Sequence, residues 1–161
     1  MKQRILLRRP RRSARGSVLV ETVLGVIVLT TFAFGIVEVG WYYHDAHALN
    51  TFARDYARDL SAGMTTSQAS TEIINSNQVT TTGKILQNGL TSSNFAAYYS
   101  TDGGVTFPTT QIIGNDTSGA KNNVTMGNMI MVTVTYSHSR MTGLFGRGNV
   151  PMQASSIMLR Q

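Results

Sequence analysis

The stretch RRSARGSVLVETVLGVIVLTTFAFGIVEVGWYY, Arg11 to Tyr43, decides how this chain is built. It opens on arginines and then runs from Thr22 to Val37 without a formal charge. Taken from Ser17 to Tyr43 it is long enough to cross a bilayer, which needs roughly 20 mostly apolar residues. The basic excess lies before it, and Trp41, Tyr42 and Tyr43 stand where an aromatic belt meets the far interface. The positive-inside rule then predicts a cytoplasmic N-terminus and an extracytoplasmic remainder. One residue breaks the pattern. Glu21 is a carboxylate inside the apolar run, where a charge costs about 2.5 to 3.5 kcal/mol at the bilayer centre and less near an end.

The formal charge of +6 is unevenly spread. Lys2, Arg4, Arg8, Arg9, Arg11, Arg12 and Arg15 all precede Gly16, with no acidic residue among them. The other residues carry seven basic against eight acidic side chains, a net of −1. A nucleic-acid partner is therefore not expected, since such a protein keeps its positive field on the folded body. There are no cysteines, which excludes a disulfide framework and thiolate metal sites.

Beyond the span, Ala46, Leu49, Phe52, Ala53, Tyr56, Ala57 and Leu60 recur at three- and four-residue steps, the pattern of an amphipathic helix. Asp55 can pair with Arg58 one turn on, and Gly63 offers a stop. A helix from Ser17 to Ala62 is roughly 70 Å long, so its second part must project from the membrane. Further on, 67–75 reads as a short helix with Ile73 and Ile74 inward, and Gly83 and Asn88-Gly89 mark turns. Two β-prone runs flank Asp102-Gly103-Gly104, a hairpin signal. Ser100 to Phe107 also resembles an Asp-box, which implies a hairpin with Asp102 bonding turn amides and Phe107 packed beneath. Ile130, Val132, Val134 and Tyr136 alternate with polar residues, as in a half-buried strand. Residues 150–159 supply a second, antiparallel strand after a connection carrying Gly143, Gly146 and Gly148. The fold class expected is α+β: a basic leader (1–16), an N-terminal transmembrane and assembly helix (17–62), and a small extracytoplasmic head with antiparallel strands (63–161).

Glu21 has two readings. Near the cytoplasmic end it can reach the headgroups. Alternatively, if the chain is cut after Gly16, Ser17 becomes the N-terminus and all seven leader charges are lost. Glu21 is then the fifth residue and can neutralise a new ammonium group, its own or a neighbour's. Such a contact gains strength in a low-dielectric setting.

Basic residues, a glycine, a glutamate at mature position five and a long apolar helix resemble the class III signal of type IV prepilins. The segment as a whole resembles the TadE-like minor pilins (pseudopilins) of tight-adherence (Tad/Flp) pilus systems. The elements that carry the likeness are Gly16-Ser17-Val18-Leu19-Val20-Glu21, Phe34-Gly35-Ile36-Val37-Glu38-Val39-Gly40 and Ala53-Arg54-Asp55-Tyr56-Ala57-Arg58. Thr22 departs from the aromatic that commonly follows the first glutamate, which points away from a major pilin. The resemblance implies cleavage between Gly16 and Ser17 by a prepilin peptidase. It also implies a role for Glu21 in assembly, and partners among other pilin subunits, the inner-membrane assembly platform and membrane lipid. Glu38, about 26 Å along the helix from Glu21, is either a solvated interfacial charge or a packing contact with a partner helix.

Catalytic signatures are thin. His44 and His47 can share a helix face near Asp45, but zinc needs three or four converging ligands. No nucleophile elbow, phosphate loop or carboxylate pair stands out. An enzyme, a metal and a cofactor are therefore not expected. The rival to a pilin-like subunit is a single-pass signal-anchored protein with a ligand-binding head, and it predicts no cut at Gly16.

Overall fold

The computed structural model describes residues 14–78, 85–141, 143 and 146–161. Most of the leader and the turn expected at Gly83 lie outside these residues. The first element, α1 (Ala14–Ser61), is one unbroken helix of 48 residues, about 72 Å long at 1.5 Å per residue. It begins before Gly16, so the Gly16–Ser17 bond lies in its first turn.

The two halves of α1 behave differently because their patterns differ. From Val18 to Tyr43 apolar side chains point outward all round. From Leu49 onward a stripe at helical spacing is buried, with Leu49, Phe52, Ala53, Tyr56, Ala57 and Leu60 each at most 5 % exposed. Tyr56 packs on Phe95 at 4.9 Å between ring centroids, and burial pushes its hydroxyl pKa up to about 12. The helix stops at Gly63, which takes φ +104°. Gly63 N–H bonds to Leu60 C=O and Met64 N–H to Asp59 C=O, the paired bonds of a Schellman cap.

A capping box starts α2 (Thr66–Gln78): Thr65 N–H donates to Gln68 Oε1, and Gln68 N–H donates to Thr65 Oγ1. Ile73 is buried and Ile74 packs against the core. Asn77 accepts from Ile85 N–H through its carbonyl and from Leu86 N–H through Oδ1, fixing where the chain re-enters the head.

Three strands form one antiparallel sheet in the order β1 (Phe95–Ser100), β2 (Met129–Ser139), β3 (Asn149–Leu159). Ala97 pairs with Val132, Val134 with Ala154, and Ser139 with Asn149. The inner face (Ala97, Ile130, Val132, Val134, Tyr136, Met152, Ala154) closes on the buried stripe of α1. The α+β class and the period-2 assignment of β2 stand as expected.

The hairpin expected at Asp102-Gly103-Gly104 does not form. After Ser100 the chain bends, and no second strand follows directly. Asp102 Oδ1 accepts from Val105 N–H and Thr106 N–H, each at 3.0 Å, and Oδ2 accepts from the Thr106 hydroxyl at 2.6 Å. These local bonds take up amides that a returning strand would offer to β1. The chain rejoins β1 only at a single bridge, Tyr98 with Ile112. The Asp-box reading of Asp102 thus survives without its hairpin, and Phe107 is half-buried outside the core cluster.

Candidate functional site

The region to which the sequence assigns function is the outward-facing half of α1. Leu29 is 71 % exposed and Ile36 is 73 % exposed, an arrangement that water disfavours. By length and composition the helix can cross a membrane. Two of its hydroxyls bond back into the helix: Thr22 donates to Val18 C=O at 2.9 Å, and Thr31 donates to Ile27 C=O at 2.8 Å. That self-sufficiency is what a hydrocarbon environment demands.

Gly16 is not required by the fold. A Cβ added there meets nothing within 4 Å, and alanine is the better helix former by about 1 kcal/mol. Glu21 is exposed, and among the described residues no side chain reaches it. The structure brings Gly16, Ser17 and Glu21 onto one continuous helix and does not join them to the head.

Glu38 behaves differently. It is only 7 % exposed, and its Oε2 accepts from Met141 N–H at 3.2 Å. The bond comes from Met141, two residues past the end of β2 in its own chain. Within the chain Glu38 is therefore not a solvated charge.

Two turns further on, Asp45 is buried as well, and His138 Nδ1 donates to its Oδ2 at 2.8 Å with both side chains 4 % exposed. His44 Nδ1 approaches Asp45 Oδ1 at 3.2 Å, and the Tyr42 ring stands edge-on to His138 at 5.7 Å. Glu38, Tyr42 and Asp45 therefore form a polar collar where the exposed half of α1 gives way to the buried half. His47, which the spacing allows on one helix face with His44, is exposed.

A second polar lock closes the opposite end of the head. Asn122 Nδ2 donates to Leu60 C=O at 2.7 Å and to Met64 C=O at 2.9 Å, while Arg160 Nη1 donates to Ser61 C=O at 2.7 Å. These side chains satisfy carbonyls that every helix C-terminus leaves open. A groove of about 670 Å³ runs between α2 and β1, lined by Ser67, Ser70, Phe95 and Tyr98 among others. Its lining carries no ionisable side chain other than tyrosine. Among the described residues, no three His, Cys, Asp or Glu side chains converge as metal ligands would.

No curated protein and no solved structure matches the chain. The model of the family described as TadE-like protein matches residues 16–58, from Gly16 through the apolar span and the collar to Arg58 on the exposed face opposite the buried stripe. Over that helix the chain is similar to the TadE-like proteins.

Proposed function

We propose that the chain is a minor pilin or pseudopilin. It inserts as a single-pass inner-membrane protein with its N-terminus cytoplasmic. A prepilin peptidase cuts it between Gly16 and Ser17, and it is then incorporated through α1 into a Tad/Flp-type pilus that serves adhesion, or into the machinery that builds it. The observation carrying this reading is the uncovered helix from Ser17 to Val37, an apolar surface that its own head does not use. In the membrane lipid covers it; in a filament neighbouring helices do.

The leader supports the same reading. Seven positive charges cannot enter a bundle of apolar helices without large desolvation costs, so their removal licenses assembly. The cut exposes an ammonium on Ser17, and Glu21, exposed and one turn away, supplies the opposite charge. Gly25 and Gly40, where a Cβ would meet nothing, leave flat places for close helix approach.

The test is N-terminal sequencing of protein extracted from cells with active prepilin peptidase. A mature chain starting at Ser17 is expected, and an intact Met1 overturns the reading. Gly16→Ala suits the helix but should abolish the cut, which separates recognition from folding. Glu21→Ala should be cut normally and then fail to enter the filament.

A further inference from the structure

We infer that the outer face of the sheet, turned away from α1, pairs with the same face of a second copy of this chain. The inference rests on the proposed span for the height at which the two faces meet, and it adds a contact between heads to the contact between helices.

Strand register decides which residues share that face. Val132 and Val134 are buried toward α1, so their neighbours along β2 point the other way. Met131 is one of these. It stands opposite Tyr98 on β1 and Ile157 on β3, and Tyr98 is bridged in turn to Ile112. Opposed residues of an antiparallel pair lie on the same side, so Ile112, Tyr98, Met131 and Ile157 form one apolar row across the outer face. A second row runs beside it, where Met129 stands opposite Leu159. A Cβ added at Gly104 would come within 3.1 Å of the Met129 side chain, so the Asp102 turn brings Val105 to the edge of that row.

These side chains are left to water. Ile112 is 63 % exposed, Ile157 51 %, Leu159 54 % and Val105 81 %. They present a contiguous apolar patch of several hundred Å², about the limit of what a monomer leaves uncovered. With the polar remainder of the face, the area is comparable with the roughly 800 Å² per partner of a specific interface.

Charge selects the occupant. Every outward position of the three strands, from Ala96 on β1 to Leu159 on β3, is uncharged. A charged face set against its own copy brings like charges together at a cost; this face meets its copy without one. It offers nothing to phosphate or to a strongly acidic or basic partner. Nor is lipid the occupant. Met129 and Leu159 lie at the end of the sheet where Arg160 reaches Ser61, and Glu38 to Ser61 is about 35 Å along the helix. The patch therefore stands well clear of the bilayer that holds the span. Two copies in one bilayer, related by an axis along its normal, carry the patch at equal height, so each meets its counterpart as a two-fold interface requires.

The chain has no cysteine, so a single introduced one reports alone. Full-length Ile157→Cys and, as a control on exposed α2, Ser67→Cys are reconstituted at high dilution in phospholipid vesicles. Each is treated with a bis-maleimide about 15 Å long, the width of three strand spacings. Ile157→Cys should give about fivefold more covalent dimer than Ser67→Cys. Adding Ile112→Glu or Leu159→Glu, at exposed positions outside the core, should bring that yield down to the control while leaving the circular dichroism unchanged. Equal yields at Ile157 and Ser67 in vesicle-bound protein overturn the pairing and leave the span standing. A yield at Ile157 that survives both glutamates overturns the assignment to this face. Dimer at Ile157 in protein that alkaline carbonate washes off the vesicles keeps the pairing and removes the span.

Discussion

His138 Nδ1 and Asp45 Oδ2 meet at 2.8 Å, joining the C-terminal end of β2 to α1 across 93 residues of sequence. With both side chains 4 % exposed, neither can fall back on water if the other is removed. The pair fixes the angle at which the head leaves the helix, because it sits at the point where the exposed and buried halves of α1 meet. Replacing His138 by alanine strands a buried carboxylate and should cost about 3 kcal/mol. Asp45→Asn keeps an acceptor for the imidazole and should cost about 1 kcal/mol. Denaturant unfolding of the full chain in detergent reads both. If the double variant is no less stable than His138→Ala, the two residues act as one contact. Full additivity would separate them.

The head does not own its core. Leu49, Phe52, Tyr56, Ala57 and Leu60, all on α1, pack directly on Ile130, Val132 and Val134. A fragment starting at Gly63 therefore exposes the whole inner face of the sheet, although 63 is where the helix ends. A fragment of residues 44–161 keeps that stripe along with Asp45 and drops the span. The longer fragment should give dispersed amide spectra and cooperative unfolding. The shorter one should be insoluble or unfolded. Equal behaviour of the two would show that the stripe contributes little.

How much of this was legible depends on distance along the chain. The apolar span, the stripe from Leu49 to Leu60 and the alternation in β2 each repeat within a few residues, so periodicity reveals them. The collar pairs Glu38 with Met141 and Asp45 with His138, and no local pattern links residues so far apart. A signal was nonetheless present. The inward positions of β2, counted on from Ile130, Val132, Val134 and Tyr136, land next on His138. The buried stripe of α1, counted back from Leu49, passes through Asp45 and then Glu38. Polar residues standing in register with a core are candidates for pairing with each other. The Asp102 turn misled for the opposite reason: glycines permit a hairpin, but the carboxylate competes for its amides.

That carboxylate gives the turn a pH dependence of known sign. Hydrogen bonds from the Ser100 hydroxyl, then from Thr106, hold Asp102 well below the usual carboxylate range. A folded pKa below the unfolded one means that ionised Asp102 stabilises the fold. The contribution is complete above the unfolded value of about 4 and fades as pH falls from there through the folded value. Asp59 works the other way, since burial and then the charge of Glu72 raise its pKa, so wild-type stability against pH mixes both signs. Comparison with Asp102→Asn isolates the turn. The gap in denaturation midpoint between wild type and variant should be constant from neutral pH down to about 5 and shrink steadily below about 4. A gap that holds its size down to the lowest pH at which the fold survives would mean that the amide serves as well as the carboxylate. The bonds to Val105 and Thr106 would then depend on shape alone.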